Sequence, residues 1–394
     1  MNRLPEGVET KRTASVAMIE HIGGHNGMHY YDFGLCRGLL AAGCHVSLYT
    51  SDETIDPLIP GLGFYPYFRR IFGLGNRWLQ AKNYFYAALG TMKKAAASGE
   101  TICHFQVFNT PLLESVVVTL ARLFGMKVVL TVHDVNCLVG QKRGNRRITG
   151  WIYRHADRLI VHNQISMKEL EGIGVPSAKI SIIPHGHYLD SIRELPLQSE
   201  ARGSLGIAES AKVVLFFGQI HEAKGLELLI DAIPAVARRV PEVKFLIVGR
   251  PLRSDFSKYD ALIDELDVRE RCCLRIGYVP DSEVARYFAA ADVVALPYRR
   301  IYQSGALIMA MCYGRATVVS DLPGMTEMIT DGVNGFVFSN GSKDELAHAL
   351  IRALQNDEAR RRVSASASEY IREHNDWGRI GERTADLYET LLNR

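Results

Sequence analysis

The sequence predicts an α/β protein made of two doubly wound domains that face each other across a cleft. Three observations carry that expectation. The chain has 394 residues, more than the ~250 to 300 at which a single core stops growing. Short β-branched runs alternate with Gly-rich turns and amphipathic stretches, the pattern of right-handed crossovers and a parallel sheet covered on both faces. The series then starts afresh in the second half, so each half supplies a sheet of its own.

In the first half, the run SVAMIEHI from Ser15 leads into GGHNG at 23–27 and the helical pattern MHYYDFGLCRGLLAAG, and HVSLYTSD is the next strand. TICHFQ, KVVLTVHD and RLIVHN are further strands, each ending in polar residues. Between Tyr188 and Ala211 proline, serine and charges displace the periodic pattern, which marks the domain junction. VVLFFGQIHEAKG, KFLIVGR, CCLRIGYV, DVVALPY and ATVVSD form the second series. The expected division is 1–195, 196–374, and a final helical segment at 375–394.

Apolar residues make up 47% of the chain and charged residues 23%, an ordinary globular balance. No apolar run approaches the ~18 residues of a bilayer span. The first apolar segment, ASVAMIEHI, contains Glu20 and runs into glycines, so it reads as a buried strand rather than a secretory signal, and the expected location is the cytoplasm. Seven cysteines without a CxxC spacing read as free thiols of a reducing compartment, with the adjacent Cys272 and Cys273 in a strand. There is no HExxH and no paired-aspartate motif. His185 and His187 flank Gly186 with no further ligand-spaced residue. Neither a metal nor a cofactor is expected.

Residues 1–200 carry 21 basic and 16 acidic side chains, the remainder 25 and 27. The basic excess lies between Pro57 and Gly99, where Arg69, Arg70, Arg77, Lys82, Lys93 and Lys94 meet no acid and are interleaved with aromatics that include Phe72 and Trp78. That composition suits a helix in a lipid headgroup layer, with Arg69, Arg70, Phe72, Arg77, Trp78 and Lys82 as the contacts. A core-packed helix with solvated cations explains it equally well. Nucleic acid is a poorer partner, because the second half has no matching basic face.

In open α/β sheets ligands bind outside the carboxyl ends of the strands, so strand ends are where chemistry is sought. Gly23 and Gly24 open a loop in which the backbone can approach an anion, and His25 in that loop faces the cleft. Lys224, before a helix, can meet a diphosphate as a point charge. Ser304 can cap a helix whose first amides, on Gly305, Ala306 and Leu307, are open to phosphate oxygens. His133 and Asp134, in TVHDVN, can bond a sugar and act as a base. Each alone has an ordinary structural explanation: a turn, a solvated lysine, a helix cap. Glu327 is a further candidate for the donor side, and it can equally cap a helix.

Taken together, these residues carry a resemblance. The succession GG, HD, IPHG at 183–186, FFG…KGLELLIDA, IVG, GYVPDSEVARYFAAADVVALPY, SG…AMCYG…VVSDLPGMTEMITDGVNGF and NDW…LYETLL resembles the GT-B fold glycosyltransferases of the family-four type. It covers nearly the whole chain. It implies two Rossmann-like domains, a nucleoside diphosphate sugar (UDP- or GDP-linked) held by the second, and a glycan or polyprenyl-linked glycan acceptor held by the first. It also implies no metal and a last helix that crosses back to the first domain. By this resemblance Lys224 contacts the diphosphate beside Gly218 and Gln219, Gly23 and Gly24 lie against it from the other domain, Tyr278 and Val279 hold the base, and His133 reaches the donor sugar.

The chain departs from the family pattern at three positions. Gln219 stands where the family usually has an arginine, and Ile301 and Met309 stand where it usually has two glutamates eight residues apart. The ribose and sugar therefore lose carboxylate partners. The expected function is a metal-independent hexosyltransferase of surface polysaccharide assembly, at the cytoplasmic face of a membrane, with His25 or Asp134 as base if it inverts. Alternatives are a non-catalytic partner subunit, which the three departures favour, and a sugar-nucleotide epimerase of the same fold.

Overall fold

The computed structural model describes residues 14–23, 28–71, 76–107, 111–135, 143–252 and 255–393. Its strands are β1 (Ser15–Ile19), β2 (His45–Ser51), β3 (Gly63–Phe68), β4 (Ile102–Val107), β5 (Lys127–Val132), β6 (Arg158–Val161), β7 (Ile180–Ile182), β8 (Lys212–Phe217), β9 (Val243–Gly249), β10 (Cys272–Ile276), β11 (Val293–Leu296), β12 (Ala316–Ser320) and β13 (Phe336–Phe338). The helices are α1 (Met28–Ala41), α2 (Arg77–Ala97), α3 (Pro111–Leu123), α4 (Arg143–His155), α5 (Gln164–Gly172), α6 (Gln198–Leu205), α7 (Leu226–Arg239), α8 (Ser257–Glu265), α9 (Asp281–Ala290), α10 (Gly305–Cys312), α11 (Pro323–Thr326), α12 (Lys343–Gln355), α13 (Asp357–His374) and α14 (Trp377–Leu392).

The strands form two all-parallel sheets, β3-β2-β1-β4-β5-β6-β7 and β10-β9-β8-β11-β12-β13. Runs such as VVLFF of β8 and VVAL of β11 are apolar throughout because both sheet faces are covered, and their side chains are almost all buried. In each sheet the order reverses beside the first strand of the series, between β1 and β4 and between β8 and β11. A crevice opens at such switch points outside the carboxyl ends of the strands.

Two details link the domains. The polar stretch 188–211, expected to be a junction without periodic structure, contains α6, which is tied to the second domain by the buried pair Arg202–Asp292 at 2.8 Å. After α13 the chain returns, and α14 packs on α1. Their backbones touch through Gly38 and Gly381: a Cβ on Gly381 would lie 2.1 Å from the carbonyl carbon of Gly38. Trp377 donates from its indole to the His187 carbonyl at 2.7 Å.

Candidate functional site

A cavity of about 460 Å3 opens between the domains. From the second domain it is lined by Gly218 and Gln219 after β8, by Lys224, by Tyr278 and Val279 after β10, and by Gly305 and Ala306 at the start of α10. Lys224 is aimed by its neighbours. Gly225, at φ +64°, sits where a Cβ would be 2.0 Å from the Pro297 carbonyl oxygen, so only glycine lets this turn close on the end of β11. The ammonium then lies 3.8 Å from the centre of the Tyr298 ring. Ser304, nearly fully buried, accepts the Leu307 amide at 3.1 Å and donates to the Tyr298 hydroxyl at 3.2 Å. The serine fixes the helix start, and Gly305 and Ala306, whose first-turn amides have no intrahelical partner, line the cavity.

The first domain contributes Tyr30 and Asp134, with Tyr188 from the connecting segment. Burial raises the Asp134 carboxyl to about 6, and the charge of Lys224 across the cleft opposes that rise. Near the cavity's edge His29 of α1 meets Asp281 of α9 at 3.2 Å. Tyr30 stacks obliquely on Tyr188, their ring centres 5.6 Å apart.

Behind this rim the first domain is closed on itself. His133 Nε2 bonds the Gln106 amide oxygen at 2.9 Å, and its Nδ1 lies 3.3 Å from His162 Nε2. His104 bonds Thr131 at 2.7 Å, and His162 bonds the Ile183 carbonyl at 2.9 Å. Burial pushes His104, His133, His162 and His185 down and keeps them neutral. The buried carboxyl of Glu20, which burial lifts to about 7, accepts the amides of Ile22 at 2.6 Å and Gly23 at 2.7 Å.

Comparison with known proteins gives the arrangement a family. Residues 211–356 match the model of glycosyl transferases group 1, and residues 25–190 match that of glycosyltransferase family 4, so the matches take in one domain each and together most of the chain. The chain belongs to the group 1 glycosyltransferases. Among relatives of this glycosyltransferase family, the phosphatidyl-myo-inositol mannosyltransferase of Mycobacterium leprae is 29% identical over 244 residues, 61% of this chain and 61% of that protein. The chain thus spans less than two thirds of the length of the curated relatives it matches. Two solved structures share the GT-B fold. Sucrose-phosphate synthase from Thermosynechococcus elongatus superposes with a TM-score of 0.75 at 22% identity, covering 96% of this chain and 99% of that one. HepE of Anabaena, in complex with UDP and glucose, gives 0.74 at 19%, covering 96% and 100%.

Measured against what the glycosyltransferase resemblance implies, the structure brings Asp134, Gly218, Gln219, Lys224, Tyr278, Val279, Gly305 and Ala306 to one cavity, with Ile301 and Met309 at its wall. Five placements differ from expectation. His133 does not line the cavity, because Gln106 and His162 hold it behind the rim. The Gly23 amide points inward to Glu20. Ser304 caps α10 as the sequence indicates, by accepting the Leu307 amide, and neither of the two lines the cavity. Glu327 accepts the Gln164 amide at 3.1 Å and so caps α5 of the other domain. Gly24, His25 and Phe72 lie outside the described residues, as does the side chain of Arg77.

Sequence reasoning passed over Tyr30, Arg250 and Asp281. Arg250 directly follows the strand run KFLIVG, so the strand-end rule itself could have found it. Tyr30 and Asp281 meet only across the domain boundary and leave no local signal.

Within the basic aromatic segment the described residues form β3 and α2. Tyr84, Ala88, Met92 and Ala95 of α2 face the core, while Trp78 is 87% exposed with Leu79, Phe85 and Tyr86 beside it. Lys82, Arg69 and Arg70 are exposed on the same side, and a groove of about 930 Å3 there is lined by Arg69, Arg70, Asn83 and Tyr86 among others. No helix among the described residues is long and apolar enough to cross a membrane.

Proposed function

We propose that this chain transfers a hexose from a UDP- or GDP-sugar to a glycan or polyprenyl-linked glycan in surface polysaccharide assembly, without a metal or cofactor. The observation that carries the reading is the cavity itself. It sets Lys224 and the Gly305 and Ala306 amides of one domain opposite Asp134 of the other. In the proposed reaction Asp134 takes the proton of the acceptor hydroxyl, whose oxygen bonds the anomeric carbon as the bond to the diphosphate oxygen breaks. Lys224 and the α10 amides stabilise the negative charge on the departing diphosphate. Gly218 and Gln219 flank it, and Tyr278 and Val279 hold the base. HepE, of the same fold, is known with UDP and glucose, which supports a uridine donor.

The acceptor is proposed to reach the cleft from a membrane at the cytoplasmic face. The name of the Mycobacterium leprae relative gives it a lipid acceptor. Here the exposed Trp78 of α2, with Lys82, Arg69 and Arg70, forms an aromatic and cationic face suited to anionic lipid.

Thermal unfolding with UDP or GDP, with and without magnesium, tests the reading. A ligand at ~100 times its dissociation constant stabilises a fold by about 2.7 kcal/mol. One diphosphate should raise the midpoint in either condition, and Lys224→Ala should remove the shift. No shift with either diphosphate would instead favour the partner-subunit reading, since Ile301 and Met309 give the cavity wall apolar groups where the resemblance expects acids.

A further inference from the structure

A departing diphosphate gains negative charge, and the resemblance leads one to expect two cations beside it. Gln219 removes one of them. The charged groups that line the cavity are Asp134, Lys224, Arg250 and Asp281. Asp281 is paired with His29 at 3.2 Å. Lys224 faces Asp134, whose carboxyl its charge stabilises. His221, also on the wall, is pushed down to about 4 by burial and by Lys224, and is neutral. Arg250 has no ion pair among the described residues, and its side chain is exposed to the cleft.

Its backbone is held in place. Ile220 donates its amide to the Arg250 carbonyl at 2.9 Å, and Leu252 donates to the Ile220 carbonyl at 2.9 Å, so segment 250–252 runs beside 219–221 as a continuation of the β8–β9 pairing. At Gly249, φ +145°, a Cβ would fall 1.7 Å from the Gly218 carbonyl oxygen. Only glycine allows that approach, and the approach brings Arg250 level with Gln219. β9 and β11 flank β8 on opposite sides. Lys224, packed on Tyr298 after β11, stands on one side of the Gly218 turn, and Arg250 stands on the other.

We infer that Arg250 is a diphosphate-binding residue of this site, supplying from β9 the guanidinium that Gln219 does not provide. Its fork of N–H donors suits two phosphate oxygens at once. The inference rests on reading the cleft as a nucleoside diphosphate sugar site, and its test separates the two.

The test is calorimetric titration of UDP and GDP into the wild-type chain, Arg250→Ala, Arg250→Lys and the double variant Arg250→Ala with Gln219→Arg. Arg250→Ala should weaken the diphosphate that binds by about 10- to 100-fold, the effect of losing one charged hydrogen-bonding partner. Because the residue is exposed, its unfolding midpoint without ligand should not move. Arg250→Lys should recover part of the loss, and Gln219→Arg should recover most of it. Unchanged affinity in Arg250→Ala, with binding still lost in Lys224→Ala, overturns the inference and leaves the donor site standing. A loss that Gln219→Arg does not repair also overturns it, because it places Arg250 on the base or ribose. Binding of neither diphosphate by the wild-type chain sinks both readings together.

Discussion

The two walls of the cleft are both built from strand ends, yet they treat their polar groups in opposite ways. On the second-domain wall the groups after β8 and β9 and at the start of α10 lie at the cleft: Lys224, Arg250, Gly305 and Ala306 all line the cavity. On the first-domain wall the corresponding groups are tied to one another, His133 to Gln106 and His162, and the Gly23 amide to Glu20. The difference teaches which wall is prepared for an anion. A helix start with cations beside it suits an anion, whereas a satisfied network fixes a shape. Among these strand-end groups of the first wall Asp134 is the exception in lining the cavity, with a carboxyl whose pKa burial raises.

The largest expected effect concerns that exception. Asp134→Asn should lower kcat by ~10²- to 10⁴-fold, the usual contribution of a general base, with little change in diphosphate binding. The wild-type rate should fall as pH drops through about 6, where Asp134 takes up its proton. An acid limb that survives in the Asn variant would show that another group is the base.

Next comes Lys224→Ala, which should weaken UDP or GDP by about 10- to 100-fold while leaving folding stability nearly unchanged. The opposite pattern is expected for His133→Ala. Removing that ring takes the partner from Gln106 Oε1 and from His162 Nε2 and should cost ~1 to 3 kcal/mol of stability, with diphosphate affinity intact. Urea unfolding and calorimetric titration of the same two variants read both quantities. If His133→Ala abolished binding without destabilising the fold, the contrast between the walls would be wrong.

The smallest effect is on pH dependence. The four histidines are neutral when folded, so below ~6.5, the ordinary histidine value, the unfolded chain binds more protons than the native one. Stability should therefore fall as pH drops toward the depressed values, about 4 for His162 and about 3 for His104 and His185. Glu20 and Asp134 act in the opposite sense. Each holds a proton in the fold that the unfolded chain has released, up to about 7 and about 6, so each offsets part of the fall. Replacing His162 with Asn should flatten the slope by at most ~1.4 kcal/mol per pH unit, measured as the urea midpoint between pH 5 and 6.5.

How far the sequence could be read differs between residues for a physical reason. The strands were legible because a parallel strand covered on both faces must be apolar throughout, as in VVLFF and VVAL. Lys224 and Gly305 were legible because their turns follow strands directly. Glu327 was not, because it had two equally good local roles, toward a ligand or at a helix start. The α6 helix was missed because its eight residues carry two charges, two serines and little periodicity, and its stability comes from Arg202 reaching Asp292, 90 residues on.

The amino-acid order by itself determined the two series of strands, their crossovers and the positions along the chain where a ligand could be met. Tertiary structure alone decided which polar groups would remain available there. Glu327 finds the Gln164 amide 163 residues away, His104 finds Tyr388 across 284, and Asn375 finds the His185 carbonyl across 190. No local pattern encodes such partners. A buried donor or acceptor must be satisfied somewhere, and only the packing of one domain on another shows whether its partner is the protein or is left to be the substrate.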